Sequence, residues 1–126
     1  MTHLINKELV RGFYRDVVRD RKIELIEKYV HKNYIQHSPN MKDGVEGLKE
    51  AIAYLKQLPK PDVNAPSPIV RLLAEDDMVM VQLDINFGGK RIAVVDIFRV
   101  VDGKIAEHWE VQQEVPVVIP HGNGMF

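Results

Sequence analysis

The chain has 126 residues, no cysteine, and a net charge of −1 from 17 basic and 18 acidic side chains. That length points to one domain over residues 1–126, with a core large enough to fold without staples. The missing cysteines exclude disulfides, thiolate nucleophiles and Cys-type zinc sites, and the balanced charge leaves no footprint for nucleic acid or an anionic membrane. No apolar run approaches a membrane span, and the opening MTHLINKELV has no signal-peptide layout, so a cytoplasmic, soluble protein is expected.

Ile5, Leu9, Phe13 and Val17 recur every four residues among charged neighbours, which predicts an amphipathic helix of about four turns. Asp20 can cap a second, shorter helix through KIELIEKYV, with Ile23, Ile26 and Tyr29 or Val30 inward. That helix cannot run far past Asn33, and YIQHSPN breaks at Pro39. Asp43-Gly44 opens a third helix over Val45–Leu58, with Leu48, Ile52 and Leu55 buried and Pro59 as its stop. KPDVNAPSP, with three prolines in nine residues, is a loop.

From Ile69 the period falls from four to two. Ile69–Glu75 and Met78–Phe87 read as strands joined through Asp76-Asp77, and Gly88-Gly89 as a two-residue primed hairpin loop. That loop sets Phe87 opposite Lys90, Val81 opposite Asp96 and Leu83 opposite Val94. The next strand alternates Ile92, Val94, Asp96, Phe98 and Val100 on one face, so Asp96 stands alone among apolar neighbours. A carboxylate there must be paired, protonated or used, because burying a bare charge is costly.

The following turn decides what Asp96 meets. A two-residue Asp102-Gly103 loop would oppose Asp96 to Trp109; a three-residue loop, with Val100 opposite Lys104, would oppose it to His108 and put Glu110 on the same face. The second register is favoured because it gathers Asp96, His108 and Glu110. It leaves Val95, Ile97, Trp109 and Val111 as an apolar patch on the other face, suited to a homodimer contact. Together these elements predict an α+β architecture: three N-terminal helices covering one face of a curved four-stranded antiparallel sheet.

YIQHSP, DGVEGLKEAI, VVDIFRVVDGKIAEHWEVQQ and the terminal GNGMF make the chain resemble the SnoaL-like polyketide cyclases, within the NTF2-like superfamily. The resemblance covers nearly the whole sequence. It implies a helix-closed cone around a deep apolar pocket, aldol-type chemistry without metal or organic cofactor, and a homodimer. It also implies that Glu110, in EHWE where the family usually has EHWD, is the acid/base. The family's histidine partner, fourteen residues upstream, corresponds to Asp96.

Asp96 is a candidate base for abstracting a proton beside a carbonyl, lined by Val81, Val94 and Phe98; its structural alternative is a salt bridge to a helix cation such as Arg15. His108 is a candidate partner in catalysis or a residue that merely satisfies Asp96. His37, two residues before Pro39, is expected at the pocket mouth as a donor to a substrate carbonyl or enolate. Tyr14, Tyr34 and Tyr54 could supply an enolate-stabilising hydroxyl, Tyr34 being placed with His37 among the substrate-binding residues, although tyrosines on helix faces usually cap cores. The five histidines show no H-x-H or H-E-x-x-H spacing, so no metal site is expected, and no phosphate loop or nucleophile elbow is present.

The leading expectation is therefore a cofactor-independent acid/base enzyme on a small hydrophobic carbonyl compound. A non-catalytic small-molecule binding module is the alternative, and a structural partner with a vestigial pocket the third.

Overall fold

In the computed structural model, which describes residues 1–126, the first amphipathic stretch folds as α1 (Thr2–Phe13). Its buried stripe is Asn6, Val10 and Phe13, continued by Val17, and Ile5 is 61% exposed. A strict i+4 spacing drifts by about 40° per step on a helix of 3.6 residues per turn, so over three steps Ile5 swings off the face that holds Val17. Close approach of α1 to Tyr29 requires Gly12, where a Cβ would stand 2.9 Å from Tyr29 Cε1.

Past Phe13 the helix widens into a π-helical segment, Tyr14–Arg19, that buries Tyr14, Asp16 and Val17. Asp16 accepts the Tyr29 hydroxyl hydrogen, and from Arg15 Nε at 2.9 Å. The Arg15 bond, then that of Tyr29, holds the Asp16 carboxyl far below the usual carboxylate range. A depressed folded-state value contributes stability that is complete above the unfolded value of ~3.9 and is lost as pH falls through the folded one. Asp16→Asn is accordingly expected to cost about 1–2 kcal/mol at neutral pH, mainly through the charge-assisted bond from Arg15, since the asparagine oxygen can still accept from Tyr29. The gap from wild type should narrow as melts are repeated from about pH 4 downward; a gap independent of pH would refute this account.

The expected second helix is shorter than KIELIEKYV. A 3₁₀ turn at Ile23–Leu25 leads into α2 (Ile26–Tyr29), and Lys22 rather than Asp20 stands at the N-cap; Asp20 instead accepts from Arg19 Nε at 2.8 Å. Val30–Gln36, expected as helix end and loop, is a strand, β1. It pairs parallel with the last strand, Val30 against Ile105 and Gln36 against His108. After it, α3 (Gly44–Leu55) begins at Asp43, whose side chain accepts from the Gly44 N–H, and ends three residues before Leu58.

The strands β2 (Ile69–Glu75), β3 (Met78–Phe87), β4 (Lys90–Val101) and β5 (Lys104–Glu114) complete a five-stranded mixed sheet in the order β1-β5-β4-β3-β2. The predicted four-stranded antiparallel sheet is thus corrected by one parallel edge strand, within the same α+β plan. The Gly88-Gly89 loop has both glycines at positive φ, 61° and 79°, and sets Phe87↔Lys90, Val81↔Asp96 and Leu83↔Val94 as expected.

The last hairpin follows neither register weighed from sequence. Its loop is the two-residue Asp102-Gly103, both at positive φ, with Val101 opposite Lys104. The register then shifts between Val100↔Ile105 and Arg99↔Glu107, so that Ala106 is an extra residue on β5. Asp96 therefore opposes Glu110, and His108 opposes Phe98. One inserted residue reverses the parity of a period-two strand, so Asp96, His108 and Glu110 still share a face despite the corrected pairing.

The core lies between that face and the helices, around Val10, Val17, Ile26, Val79, Val81 and Ile105. On the opposite face, cross-strand neighbours Leu73, Met80, Ile97 and Trp109 form one apolar row, and Val95 with Val111 begins the next. Val111 is 69% exposed. No helix is long and apolar enough to cross a membrane.

Candidate active site

β4 delivers Asp96 to the interior with 5% exposure, against Val81 on β3, which is fully buried. No lysine or arginine meets it, and the suggested partner Arg15 is committed to Asp16. Its carboxyl is held by two uncharged-capable groups instead. The Tyr14 hydroxyl donates to Oδ2, and His108 Nε2 lies 2.8 Å from Oδ1. Burial first, and the Asp96 charge second, raise the Tyr14 phenol well above its usual range, so it remains a donor. Phe98 stacks on the His108 ring at 4.8 Å and meets Phe13 and Tyr14 edge-on, which closes this pair off from solvent.

The other side of the His108 ring faces β1. Gln36 Oε1 lies 2.8 Å from Nδ1, and the Gln36 amide nitrogen donates to the Tyr34 hydroxyl at 2.8 Å. Tyr34 is buried, and desolvation, then the Asp96 charge, push its phenol far above the usual range. Glu110 stands across the ladder from Asp96 and is half-buried. Its Oε1 accepts from Gln112 at 2.9 Å, the Ser38 hydroxyl at 3.1 Å and Asn40 at 3.4 Å, while Oε2 has no hydrogen-bond partner in the chain. Both oxygens of Asp96 are engaged, whereas one oxygen of Glu110 is free.

Of the residues singled out from sequence, Asp96, His108, Glu110, Tyr34, Val81 and Phe98 gather on the inner face. His37 does not. Strand alternation along β1 turns Tyr34 and Gln36 inward and His37 outward, where its ring stacks on Trp109 at 4.9 Å and its Nε2 lies 2.6 Å from Glu107. The His37 contact, then Arg99, holds Glu107 below the usual carboxylate range. Tyr54 is 54% exposed and takes no part. From sequence, Ser38 is weighed only as a nucleophile, rejected for want of an elbow, and Gln36, Asn40 and Gln112 are missed, although Tyr34-x-Gln36-x-Ser38 is a period-two polar pattern that a strand would bring to one face.

Asp96, His108 and Glu110 each offer a ligand-type atom within 4.8 Å of the others. Short-range spacing motifs see ligands on one element only, and these three come from two neighbouring strands. Two of the atoms are already bonded to each other, however, and Glu110 is anchored by three donors. Glu110 Oε2, by contrast, is free, and the three groups stand close enough to exchange a proton. A depression of about 510 Å³ lies near Asn6, Asp76, Asp77 and Asp102, and one of about 340 Å³ near Glu27, Lys32, Glu46 and Lys104. Asp96, His108 and Glu110 line neither, so the deep apolar pocket implied by the resemblance does not coincide with either depression.

The SnoaL-like polyketide cyclase family model matches residues 8–118. No curated protein matches the chain. Among solved structures, a protein assigned as a polyketide cyclase from Bacillus cereus is 27% identical with a TM-score of 0.67, the alignment covering 86% of this chain and 74% of that one. A protein assigned as a ketosteroid isomerase from Kribbella flavida is 17% identical with a TM-score of 0.71, over 94% and 85% of the two chains. An NTF2-like protein of unknown function from Burkholderia xenovorans is 15% identical with a TM-score of 0.71, over 92% and 88%. The last two establish the common NTF2-like fold.

Proposed function

The chain belongs to the SnoaL-like polyketide cyclase family, and from that premise we propose that it is a cofactor-independent acid/base enzyme for a small apolar carbonyl compound, of aldol-condensation or isomerase type. The observation that carries this reading is the free Oε2 of Glu110, set across the ladder from a buried group of proton donors. Glu110 Oε2 takes the proton from a carbon next to the carbonyl. The enolate oxygen then accepts a hydrogen bond from the Tyr34 hydroxyl, whose hydrogen is free and positioned before charge develops. Asp96 anchors Tyr14 and His108 beside the site rather than acting as the base, because those two groups occupy both its oxygens.

The reading is tested with α-tetralone in D₂O, following loss of its α-proton signal by NMR. Wild-type protein is expected to accelerate exchange above the buffer rate. Binding of the ketone, seen by line broadening, without any acceleration would overturn the enzyme reading in favour of the binding module. That second reading is supported by the two depressions lying away from Glu110.

We further propose a homodimer through the outer sheet face. Val95, Ile97, Trp109 and Val111 form two cross-strand pairs there, extended by Met80 and Leu73, a patch of the kind that marks an association surface. Trp109→Glu should convert the dimer to monomer or aggregate in light scattering. A monomeric wild type would refute the assignment.

A further inference from the structure

Gln36 bonds to Tyr34, Ser38 and His108, and an unambiguous donor fixes its amide. The Ser38 backbone N–H donates to Gln36 Oε1 at 2.9 Å, so the flipped amide would set N–H against NH₂. With Oε1 so placed, His108 Nδ1, 2.8 Å away, must carry a hydrogen and donate it. A neutral imidazole has one ring N–H, so Nε2 would then present a lone pair to Asp96 Oδ1 at 2.8 Å. A bare carboxylate would set lone pair against lone pair. The contact holds only with a proton between the two atoms, either as carboxylic acid with neutral imidazole or as carboxylate with imidazolium. Both forms contain the same proton and the same zero net charge. Tyr14 is not its source, since Tyr14 keeps its own hydrogen and donates it to Oδ2.

The amide nitrogen extends the order to Tyr34. It donates to the phenol oxygen at 2.8 Å, which fills an acceptor position and leaves the phenol hydrogen for another acceptor. We infer that Gln36 is a positioning residue: it locks His108 as an Nδ1–H donor, so that the His108–Asp96 pair stores one proton, and it frees the Tyr34 hydrogen for an oxyanion formed beside Glu110. The bearing on catalysis rests on the proposed function; the effect on the His108 tautomer does not.

The experiment uses full-length protein with isotope-labelled histidine, ring-nitrogen NMR, and α-tetralone exchange in parallel. The His108 signal is identified by its loss in His108→Gln. Gln36→Leu removes both the acceptor and the donor, whereas Gln36→Glu keeps an acceptor for Ser38 N–H and Nδ1–H and loses only the donor to Tyr34. Wild type and Gln36→Glu are expected to carry hydrogen on Nδ1, and Gln36→Leu to move it to Nε2. Exchange should fall roughly tenfold or more in Gln36→Leu.

A wild-type His108 protonated on Nε2 alone, or a folded Gln36→Leu that keeps Nδ1–H unchanged, would overturn the inference. Should Gln36→Leu fail to fold, the wild-type and Gln36→Glu spectra decide: Nδ1–H in both supports the inference, and its absence from either overturns it. The expected NMR pattern in a wild type that accelerates no exchange would remove the acid/base reading and leave the positioning role standing.

Discussion

Glu110→Gln is expected to lower the α-proton exchange rate by roughly 10²–10⁴-fold, the contribution of a positioned general base. Stability should change by no more than about 0.5 kcal/mol, as for a half-exposed side chain outside the packed core. The reason lies in the two oxygens of the carboxylate. Oε1 accepts from Ser38, Asn40 and Gln112, and a glutamine oxygen can keep all three bonds. Oε2 has no partner in the chain and is the atom left to act as base, so replacing it by an amide nitrogen removes basicity and little else. His37→Ala is the matched control. His37 was expected at the pocket mouth, yet it sits on the outer face against Trp109 and Glu107, so its loss should leave exchange untouched. Full exchange in Glu110→Gln would end the assignment of Glu110 as base, and strong loss in His37→Ala would show that the outer face communicates with the site.

The contrast between His37 and Gln36 shows where the sequence was readable and where it was not. β2, β3 and the Gly88-Gly89 hairpin were legible to the residue, because alternating apolar side chains and a glycine pair leave one register. β1 was not. VHKNYIQ buries only Val30 and Tyr34, four residues apart, and its other side chains are polar or exposed, as suits an edge strand. Its pairing with β5 is parallel and joins residues about 70 apart in sequence, which no local pattern can reveal. Without β1, a histidine before a proline looks like the functional residue. With β1, alternation turns Tyr34 and Gln36 inward and His37 away. The last hairpin failed in a different manner. The Asp102-Gly103 loop was available from sequence, but the extra residue Ala106 was not, and that one residue decides that Asp96 opposes Glu110. The shared face of Asp96, His108 and Glu110 was nevertheless foreseen, because the bulge and the shorter loop each shift parity by one.

Asp96 provides the largest expected effect on stability, and two substitutions at this one position separate its charge from its hydrogen bonds. Asp96→Ala strands the Tyr14 hydroxyl and His108 Nε2 without a partner in the dry interior, and it leaves a small void under Phe98. Two orphaned buried polar groups and the lost volume predict a loss of about 3–5 kcal/mol. Asp96→Asn has a different outcome. With Gln36 holding the hydrogen of His108 on Nδ1, Nε2 offers a lone pair, and an asparagine NH₂ in the place of Oδ1 donates to it. The asparagine oxygen, in the place of Oδ2, accepts from Tyr14. The amide reproduces each bond of a protonated carboxyl, so the loss should stay within about 1 kcal/mol. A carboxylate–imidazolium pair would respond otherwise, because removing one charge leaves its partner buried and unpaired, at a cost of about 3–5 kcal/mol. Thermal and urea melts of the two variants side by side therefore report how the stored proton is shared. Asparagine close to wild type and alanine far below it would support the neutral pair, a carboxylic acid bonded to a neutral imidazole. Equal losses would establish the ion pair; in either form Tyr34 carries the free hydrogen that meets the enolate.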